Sequence, residues 1–284
     1  MIALSSTAHV LDAMHRARSI AFTAYVLRPG RVLDALDAAA RRGARVTVRL
    51  EAQPYGDTSG ALKDQNAAAV AELERDGADA RLADADGTHP LHMKSARIDG
   101  ALYLDDRNWP DDGVDTIVRD TDSRDAQAVS DAMRAKPTDG APLATQKDAA
   151  LRREARSIYH AAEAHQPVAV ESESFGFGRV YAALTVAARQ HVPVRLLVAQ
   201  RDVTARSEPA LRRLAGEGVA VRLSQNDEKM AVCGDQAWLG SANATAGRKD
   251  QMDWGLRIFD PAIVSALKRR FEQNWNAATD FRKT

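Results

Sequence analysis

Cysteine is almost absent from this sequence, since Cys233 is the single one among 284 residues. One thiol cannot form an intramolecular disulfide or a thiolate zinc cluster, so both are excluded, and its scarcity fits a reducing compartment. No apolar run approaches the roughly 20 residues that a membrane-spanning helix needs. The N-terminus lacks a basic segment followed by a long apolar core, so no signal peptide is expected. The default localisation is cytoplasmic, with a periplasmic or secreted protein as the alternative if a signal was removed.

Net charge and aromatic side chains are also scarce. The formal net charge is zero, and the aromatic residues, 5% of the chain, are not interleaved with a basic stripe. Both features argue against a general nucleic-acid coat and against single-strand binding. Residues 1–140 carry 18 Lys/Arg against 23 Asp/Glu, whereas residues 141–284 carry 21 against 16. An anionic ligand is therefore expected to favour the second half of the chain.

What the sequence does contain is an internal repeat. Ser19–Leu50 aligns without a gap with Pro167–Val198, and Gly30 falls on Gly178. Each copy reads as a β-prone run, a glycine break, an amphipathic helix and a second strand. Strands that alternate with helices predict an α/β fold, and the duplication predicts two α/β lobes.

A second matched pair extends the repeat. Val70–Leu82 and Leu211–Leu223 each read as a helix closed by glycine and followed by a strand, with Gly77 and Gly218 as the helix-capping positions. A segment rich in proline and glycine separates the copies and is flanked by predicted helices. We therefore expect a first lobe at residues 1–136, a linker at 137–143 and a second lobe at 144–284.

After these units, each lobe carries the same motif. HMKSARIDGALYLDDRN starts at His92, and DEKMAVCGDQAWLGSAN starts at Asp227. Lys94 aligns on Lys229, and Asn108 aligns on Asn243. Alternating apolar residues predict a β-hairpin in each copy, with turns at residues 99–100 and 234–235.

This pattern resembles the signature of the phospholipase D superfamily, which is H-x-K, four residues, D, six residues and G-S-x-N in each lobe. The resemblance covers nearly the whole chain. It implies a duplicated bilobal phospholipase D-like fold, in which two α/β lobes are related by pseudo-twofold symmetry and share one active site at their interface. It also implies metal-independent phosphodiester cleavage without a cofactor.

The resemblance assigns a role to each matched position. His92 would attack phosphorus to form a phosphohistidine, while Asp227, which stands at the second histidine position, or water would protonate the leaving group. The remaining residues fall into two groups. Lysines, asparagines and a serine would hold the phosphate, namely Lys94, Lys229, Asn108, Asn243 and Ser241. Acidic residues would support the site from behind, namely Asp99, Asp115 and Asp253.

Three departures from the family pattern bear on activity. Asp227 replaces the second histidine, Asp105-Asp106-Arg107 replaces G-S-x, and Gly234 replaces the second motif aspartate. A carboxylate with an ordinary pKa of about 4 is a poor general acid at neutral pH unless its surroundings raise that pKa. The added acids would repel a phosphate. Two interpretations follow, a working phosphodiesterase and a degenerate member that binds phosphate with little turnover.

A pair of glutamates and the C-terminal segment are two further candidates for a role in binding. Glu171 and Glu173 end the first strand of the second lobe, where they would orient a lysine, block part of the pocket or simply be solvated. The C-terminal ALKRRFEQNW predicts an amphipathic helix, and Lys268, Arg269 and Arg270 would face either solvent or the surface of a membrane.

Together these features predict a soluble, monomeric phospholipase D-like phosphodiesterase that acts through His92. The expected substrate is a phosphodiester, with phospholipid favoured over nucleic acid because the chain is neutral and its first half is acidic. The alternatives are an endonuclease of the same superfamily and a catalytically impaired member that binds phosphate or phospholipid.

Overall fold

The structure, a computed structural model, describes residues 1–83, 88–110, 116–134 and 143–281. The chain forms two compact units, namely Met1–Gln146 with Asp250–Trp254, and Lys147–Lys249 with Gly255–Thr284. The short segment Asp250–Trp254 thus belongs to the first unit although it follows most of the second unit in sequence. Residues 137–142 of the predicted linker lie outside the described residues.

The first unit alternates strands and helices and then continues as antiparallel strands. Its elements are β1 (Ile2–Ser5), α1 (Thr7–Arg16), β2 (Ser19–Ala24), α2 (Arg31–Arg41), β3 (Arg45–Glu51), α3 (Ala61–Arg75), β4 (Asp79–Ala83), β5 (Ser95–Ile98), β6 (Ala101–Asp105), β7 (Ile117–Asp120), α4 (Ser123–Ala132) and β8 (Leu143–Ala144).

The second unit repeats this order. Its elements are α5 (Lys147–Glu163), β9 (Val168–Ser172), α6 (Arg179–Arg189), β10 (Val194–Ala199), α7 (Glu208–Gly216), β11 (Ala220–Ser224), β12 (Met230–Cys233), β13 (Gln236–Gly240), β14 (Gly255–Ile258), α8 (Pro261–Ala277) and β15 (Thr279–Asp280), with a 3₁₀ turn at Gln200–Asp202.

The sheets confirm the duplication. In the first unit the strand order is β4-β3-β2-β5-β6-β7-β1, and in the second unit the strands β11-β10-β9-β12-β13-β14 follow the same order. In each unit three parallel strands are continued by antiparallel ones. The predicted fold, a duplicated α/β architecture of two lobes, is therefore confirmed.

The repeated helices begin and end at matched residues. α2 and α6 begin after Gly30 and Gly178 and end at Arg41 and Arg189, respectively. Apolar residues of α2 at helical spacing are buried against the sheet of the same unit, together with Phe22 of β2 and Val48 of β3. This packing gives each unit a helix-covered sheet whose strand ends remain available for a site.

The local expectations on turns are confirmed. Asp99-Gly100 and Gly234-Asp235 join the strands of the two hairpins, and Asp99, Gly100 and Gly234 have positive φ. A two-residue turn of this kind needs left-handed backbone, which Asp and Gly tolerate. Gly77 and Gly218 follow α3 and α7 with φ of 95° each, as expected of residues just past a helix end.

The C-terminal helix α8 uses one of its basic residues internally. Arg270 donates to the buried carboxylate of Glu228 at 3.0 Å, whereas Arg269 donates to Ser265 on the helix itself at 2.8 Å. Among the described residues no helix is both long and apolar enough to cross a bilayer.

Candidate active site

His92 lies in the segment that leads into β5, at the end of the sheet where β2 terminates. Its backbone N–H donates to the carbonyl of Met252 at 2.9 Å, and Met252 N–H donates to the carbonyl of Pro90 at 2.9 Å. Leu91 and Met252 form a parallel bridge. The segment Asp250–Trp254 is thereby fixed beside His92, and the indole of Trp254 donates to the carbonyl of Asp105 at 2.8 Å.

The His92 ring is held between a carboxylate and an ammonium group. Nδ1 lies 2.8 Å from Oδ1 of Asp253, which is completely buried, and Nε2 lies 3.1 Å from Nζ of Lys94. Nζ of Lys94 is also 3.2 Å from Nδ1, so the ammonium lies over the face of the ring and does not fix the tautomer. The carboxylate of Asp253 only accepts, so Nδ1 carries the proton that it donates to Asp253. In a neutral ring the lone pair is therefore on Nε2, and Asp253 is placed to stabilise a positive charge on the imidazole.

Tyr25 forms an aromatic wall beside this pair. Its ring centroid is 4.9 Å from that of His92 at an interplanar angle of 62°, and Nζ of Lys94 lies 5.6 Å from the ring centroid. The Tyr25 hydroxyl donates to the carbonyl of Tyr55 at 3.0 Å. In the aligned repeat Tyr25 falls on Glu173, and its position at the end of β2 is the signal that could have identified it.

Glu51 is a second residue that the sequence did not identify. Its carboxylate is fully buried and accepts from the N–H of Leu91 at 2.6 Å and from the N–H of Gln53 at 2.7 Å. Hydrogen bonds to a charged acceptor are stronger than neutral ones. Glu51 therefore fixes the backbone immediately before His92.

The asparagine of the first motif is fixed by the backbone. Oδ1 of Asn108 accepts from the N–H of Val26 at 3.4 Å. This contact assigns the carbonyl end of the amide to the scaffold and leaves the amide N–H₂ end as a donor for a ligand.

The carboxylate of Asp105 is turned into its own loop. It accepts from the N–H of Trp109 at 2.6 Å and from the N–H of Arg107 at 3.2 Å. Burial raises the pKa of this carboxyl, while the two amides oppose that shift. The repulsion expected from Asp105 is therefore reduced, because the loop amides hold its charge. Asp106 is also fully buried.

Asp99 stabilises the first hairpin and is distant from His92 along β5. Its carboxylate accepts from the N–H of Arg18 at 3.1 Å and from the N–H of Ser19 at 2.8 Å. The Arg18 amide is the main cause of a lowered pKa for this carboxyl. Asp99 therefore fixes the hairpin turn, and the supporting role expected for it behind the site stays a prediction. Asp115 lies outside the described residues.

In the second unit, Asp227 occupies the position that matches His92. Its carboxylate forms an ion pair with the guanidinium of Arg201, and its backbone carbonyl accepts from Nζ of Lys229 at 3.0 Å. Arg201 follows β10 in the 3₁₀ turn. Sequence reasoning did not identify Arg201, because an exposed arginine in a loop carries no distinctive signal.

Lys229 and Asn243 both contact the carboxylate of Glu173. Nζ of Lys229 lies 3.1 Å from Oε2, and Nδ2 of Asn243 donates to Oε2 at 3.3 Å. Oδ1 of Asn243 accepts from the N–H of Ser174 at 3.2 Å, which repeats the contact of Asn108 with Val26. Ser241 is fully buried just after β13.

Glu171 lies two residues before Glu173 and is buried in a different cluster, with Asn274 and Glu228. Its carboxylate accepts from Nδ2 of Asn274 at 2.9 Å. Burial, followed by the nearby Glu228, raises the pKa of Glu171 to about 8. The lysine contact considered for this strand end is made by Glu173, whereas Glu171 joins β9 to α8 through Asn274.

Comparisons with known proteins agree with this geometry. Residues 158–275 match the family model described as cardiolipin synthase, PLD-like domain. No curated protein matches the chain in sequence. Among solved structures, polyphosphate kinase from Porphyromonas gingivalis superposes with a TM-score of 0.70 at 15% identity, over 95% of this chain. The chain spans about half of that protein's length, 46%.

Two smaller structures match about half of the chain. Nuc from Salmonella typhimurium, a phospholipase D family member, covers 45% of it at 18% identity, with a TM-score of 0.42 and 90% of its own length aligned. NucT from Helicobacter pylori covers 46% at 16% identity, with a TM-score of 0.40 and 92% of its own length aligned. Scores this low add nothing to the comparison with polyphosphate kinase.

The family model covers most of the second unit, and the superposition covers both units. The resemblance expected from the two motifs is confirmed: residues 158–275 match a PLD-like domain model, and the second motif has Asp227 in place of the histidine.

Proposed function

We propose that this protein is a phospholipase D-like phosphodiesterase in which His92 forms a phosphohistidine. The observation that carries the proposal is the arrangement of His92 between Asp253 and Lys94, with 2.8 Å from Nδ1 to the carboxylate and 3.1 Å from Nε2 to the ammonium. A nucleophile with an orienting partner and an adjacent cation is the group that phosphoryl transfer requires.

The reaction would proceed in two displacements. Nε2 of His92 forms a bond to phosphorus as the bond from phosphorus to the leaving oxygen breaks, and the leaving oxygen departs with its electron pair. Asp253 compensates the positive charge of the substituted ring through the Nδ1–H hydrogen bond. A water molecule then attacks phosphorus, loses a proton to solvent and releases the ring, which yields a phosphomonoester.

Charge on the phosphate oxygens would be held by the lysine and asparagine of the first motif. Lys94 supplies an ammonium next to Nε2, and Asn108 supplies an amide N–H₂ whose carbonyl is already engaged by Val26. We assign Lys229, Asn243 and Ser241 of the second motif to phosphate binding as well, because they occupy the matching positions.

Protonation of the leaving group is the step in which this chain departs from the family pattern. Asp227 forms an ion pair with Arg201, so its carboxylate accepts from a guanidinium and is not placed as a donor to the leaving group. Water is then the proton source. General acid catalysis contributes about 10²- to 10⁴-fold, so esters with poor leaving groups lose more than esters with good ones.

The substrate class that we favour is phospholipid. The first half carries five more acidic than basic residues, 23 against 18 over residues 1–140, which disfavours a polyanion such as DNA. An endonuclease is the alternative within the superfamily. Binding of DNA or RNA that weakens steeply with salt, together with no release of head group from vesicles, would select it.

A specific contact also supports a second candidate, a phosphate-binding protein with little turnover. Glu173 lies against Lys229 and Asn243, so an internal anion faces groups that would otherwise hold phosphate. Absence of turnover with preserved binding of a phosphodiester would select this candidate.

The test uses leaving-group dependence and trapping. The full chain and His92→Ala are incubated with bis(p-nitrophenyl) phosphate, whose leaving group needs no proton, and with a dialkyl phosphodiester. We expect faster turnover of the aryl ester than of the dialkyl ester, and a base-stable, acid-labile phosphoryl adduct on His92 detected by mass spectrometry. Equal activity of His92→Ala, or an adduct elsewhere, would contradict the proposal.

A further inference from the structure

The carboxylate of Glu173 lies among three groups that prefer an anion. Nζ of Lys229 is 3.1 Å from Oε2, Nδ2 of Asn243 donates to Oε2 at 3.3 Å, and a guanidinium nitrogen of Arg201 is 3.5 Å from Oε1. The Lys229 side chain is 2% exposed and that of Glu173 is 26% exposed. A buried lysine needs a counter-charge, and here Glu173 provides one.

The sheet register explains why these groups meet. In β9 and β12, Glu171 lies opposite Met230, so the residues that follow β9 lie next to those that precede β12. Glu173 and Lys229 are such a pair. The first unit has the same register, with Thr23 opposite Ser95, and it brings Tyr25 next to Lys94.

The two units therefore differ in charge at one matched position. At the end of β2 the chain presents the ring of Tyr25, an uncharged group whose centroid is 5.6 Å from Nζ of Lys94. At the end of β9 it presents a carboxylate. Two oxygens on one carbon, accepting from an ammonium, an amide and a guanidinium, have the geometry of two oxygens of a bound phosphate.

We propose that Glu173 is an internal occupant of an oxyanion-binding site formed by Lys229, Asn243 and Arg201. In the native chain the carboxylate closes this site, and an inorganic or ester phosphate binds there only by displacing it. The inference deepens the proposed function and rests on it in one respect, namely the assignment of Lys229 and Asn243 to phosphate binding.

The experiment is a titration of the full chain with inorganic phosphate by isothermal calorimetry at fixed ionic strength. Glu173→Gln keeps the length of the side chain and removes its charge. Removal of a like charge in contact with the ligand is expected to lower the dissociation constant of phosphate about tenfold or more, or to add a second bound equivalent.

A double-mutant cycle assigns the effect to this site. Lys229→Gln by itself is expected to change phosphate binding little, because the ammonium of Lys229 is already paired with the carboxylate of Glu173. In Glu173→Gln combined with Lys229→Gln, the gain should disappear. The matched control is Glu163→Gln, because Glu163 is an exposed glutamate at the end of α5 in the same unit; it should bind phosphate as the wild type does.

Two results would overturn the inference. One is an unchanged phosphate affinity in a folded Glu173→Gln protein, with folding judged by circular dichroism. The other is a gain that persists when Lys229 is also replaced. If Glu173→Gln does not fold, Glu173→Asp retains the charge but withdraws it from Lys229 by one methylene, and it should bind phosphate more tightly than the wild type.

Failure of this inference and failure of the proposed function are distinguishable. Inorganic phosphate is not a phosphodiester, so the titration is independent of turnover and can be repeated in the His92→Ala background. A gain there, together with no turnover of any phosphodiester, would support the internal occupant and reject the phosphodiesterase. Turnover that depends on His92 without a gain would do the reverse.

Discussion

The two units of this protein share a scaffold but differ in the charges that they place at the same strand ends. Asn108 and Asn243 both accept a hydrogen bond from the amide two residues past the matching strand, from Val26 and Ser174, respectively. The neighbouring side chains diverge, because His92 is held by Asp253 whereas Asp227 is held by Arg201.

This difference shows which contacts tolerate divergence. The asparagine contacts involve backbone amides, which any sequence supplies once the strands are in register. The contacts of His92 and Asp227 involve side chains, so a single substitution changes an imidazole paired with a carboxylate into a carboxylate paired with a guanidinium. The duplicated fold persists because its core and hydrogen-bond ladder do not depend on those positions.

The largest difference in turnover is expected when the residue at the histidine position of each unit, His92 or Asp227, is replaced. His92→Ala should lower phosphodiester turnover by about 10³-fold or more, because the nucleophile is lost. Asp227→Ala should change turnover of an aryl ester by less than about tenfold, since no proton donor is lost. The measurement is the initial rate of phosphodiester turnover. The matched control is His89→Ala, because His89 is an exposed histidine three residues before His92. Equal losses at both positions would show that the units contribute alike.

Asp253→Asn tests the orienting contact of the first unit. An amide cannot compensate the charge of the substituted imidazole and favours the other tautomer, so kcat should fall about 10²- to 10⁴-fold with little change in KM. The fold should be unaffected by circular dichroism. Asp250→Asn, on the same segment, is the control. A loss confined to KM would instead assign Asp253 to substrate binding.

Glu154 of α5 makes the stability of the second unit depend on pH. Burial raises its pKa to about 8 from 4.5, so the folded chain keeps a proton that the unfolded chain releases. Stability is therefore lost as the pH rises from about 4.5 to about 8. Glu154→Gln should reduce that loss by about 2–4 kcal/mol, measured by urea unfolding at several pH values. Glu163→Gln, on the exposed face of the same helix, should leave the profile unchanged.

Asp227→His sharpens the comparison by restoring a proton donor to the second unit. An imidazole titrates near neutrality, so turnover of a dialkyl phosphodiester should rise about 10- to 100-fold, while that of an aryl ester changes little. Asp227→Asn removes the charge without adding a donor and is the control. If both variants gain equally, the carboxylate charge rather than the missing donor limits the wild type.

Asp99→Ala should have the smallest effect. Loss of its hydrogen bonds to the amides of Arg18 and Ser19 should lower the free energy of unfolding by about 1 kcal/mol, measured by thermal denaturation, and turnover should be unchanged. Because backbone amides lower its pKa, this contribution is present above the ordinary value of 3.8 and is lost as the pH falls through the folded-state pKa. A large loss of turnover would place Asp99 in the site after all.

The local elements could be predicted from the sequence because their signals are local. Helical spacing in α2, the glycines after α3 and α7, and the Asp99-Gly100 turn each specify their own backbone. Tyr25, Glu51, Glu173 and Arg201 could not be assigned in the same way. Each is a common residue at a strand end or in a loop, and its role depends on which strand lies beside it.

By itself, the sequence determined that the chain is duplicated, that each copy is an α/β unit ending in a hairpin, and that the motif of one copy lacks its histidine. Repeats, periodicity and spacing are sufficient for this. Only the tertiary structure decided that Asp253 meets His92 across 161 residues of sequence, and that Glu173 rather than Glu171 meets Lys229. The physical reason is that charges interact over a few ångströms of space, and strand register sets those distances.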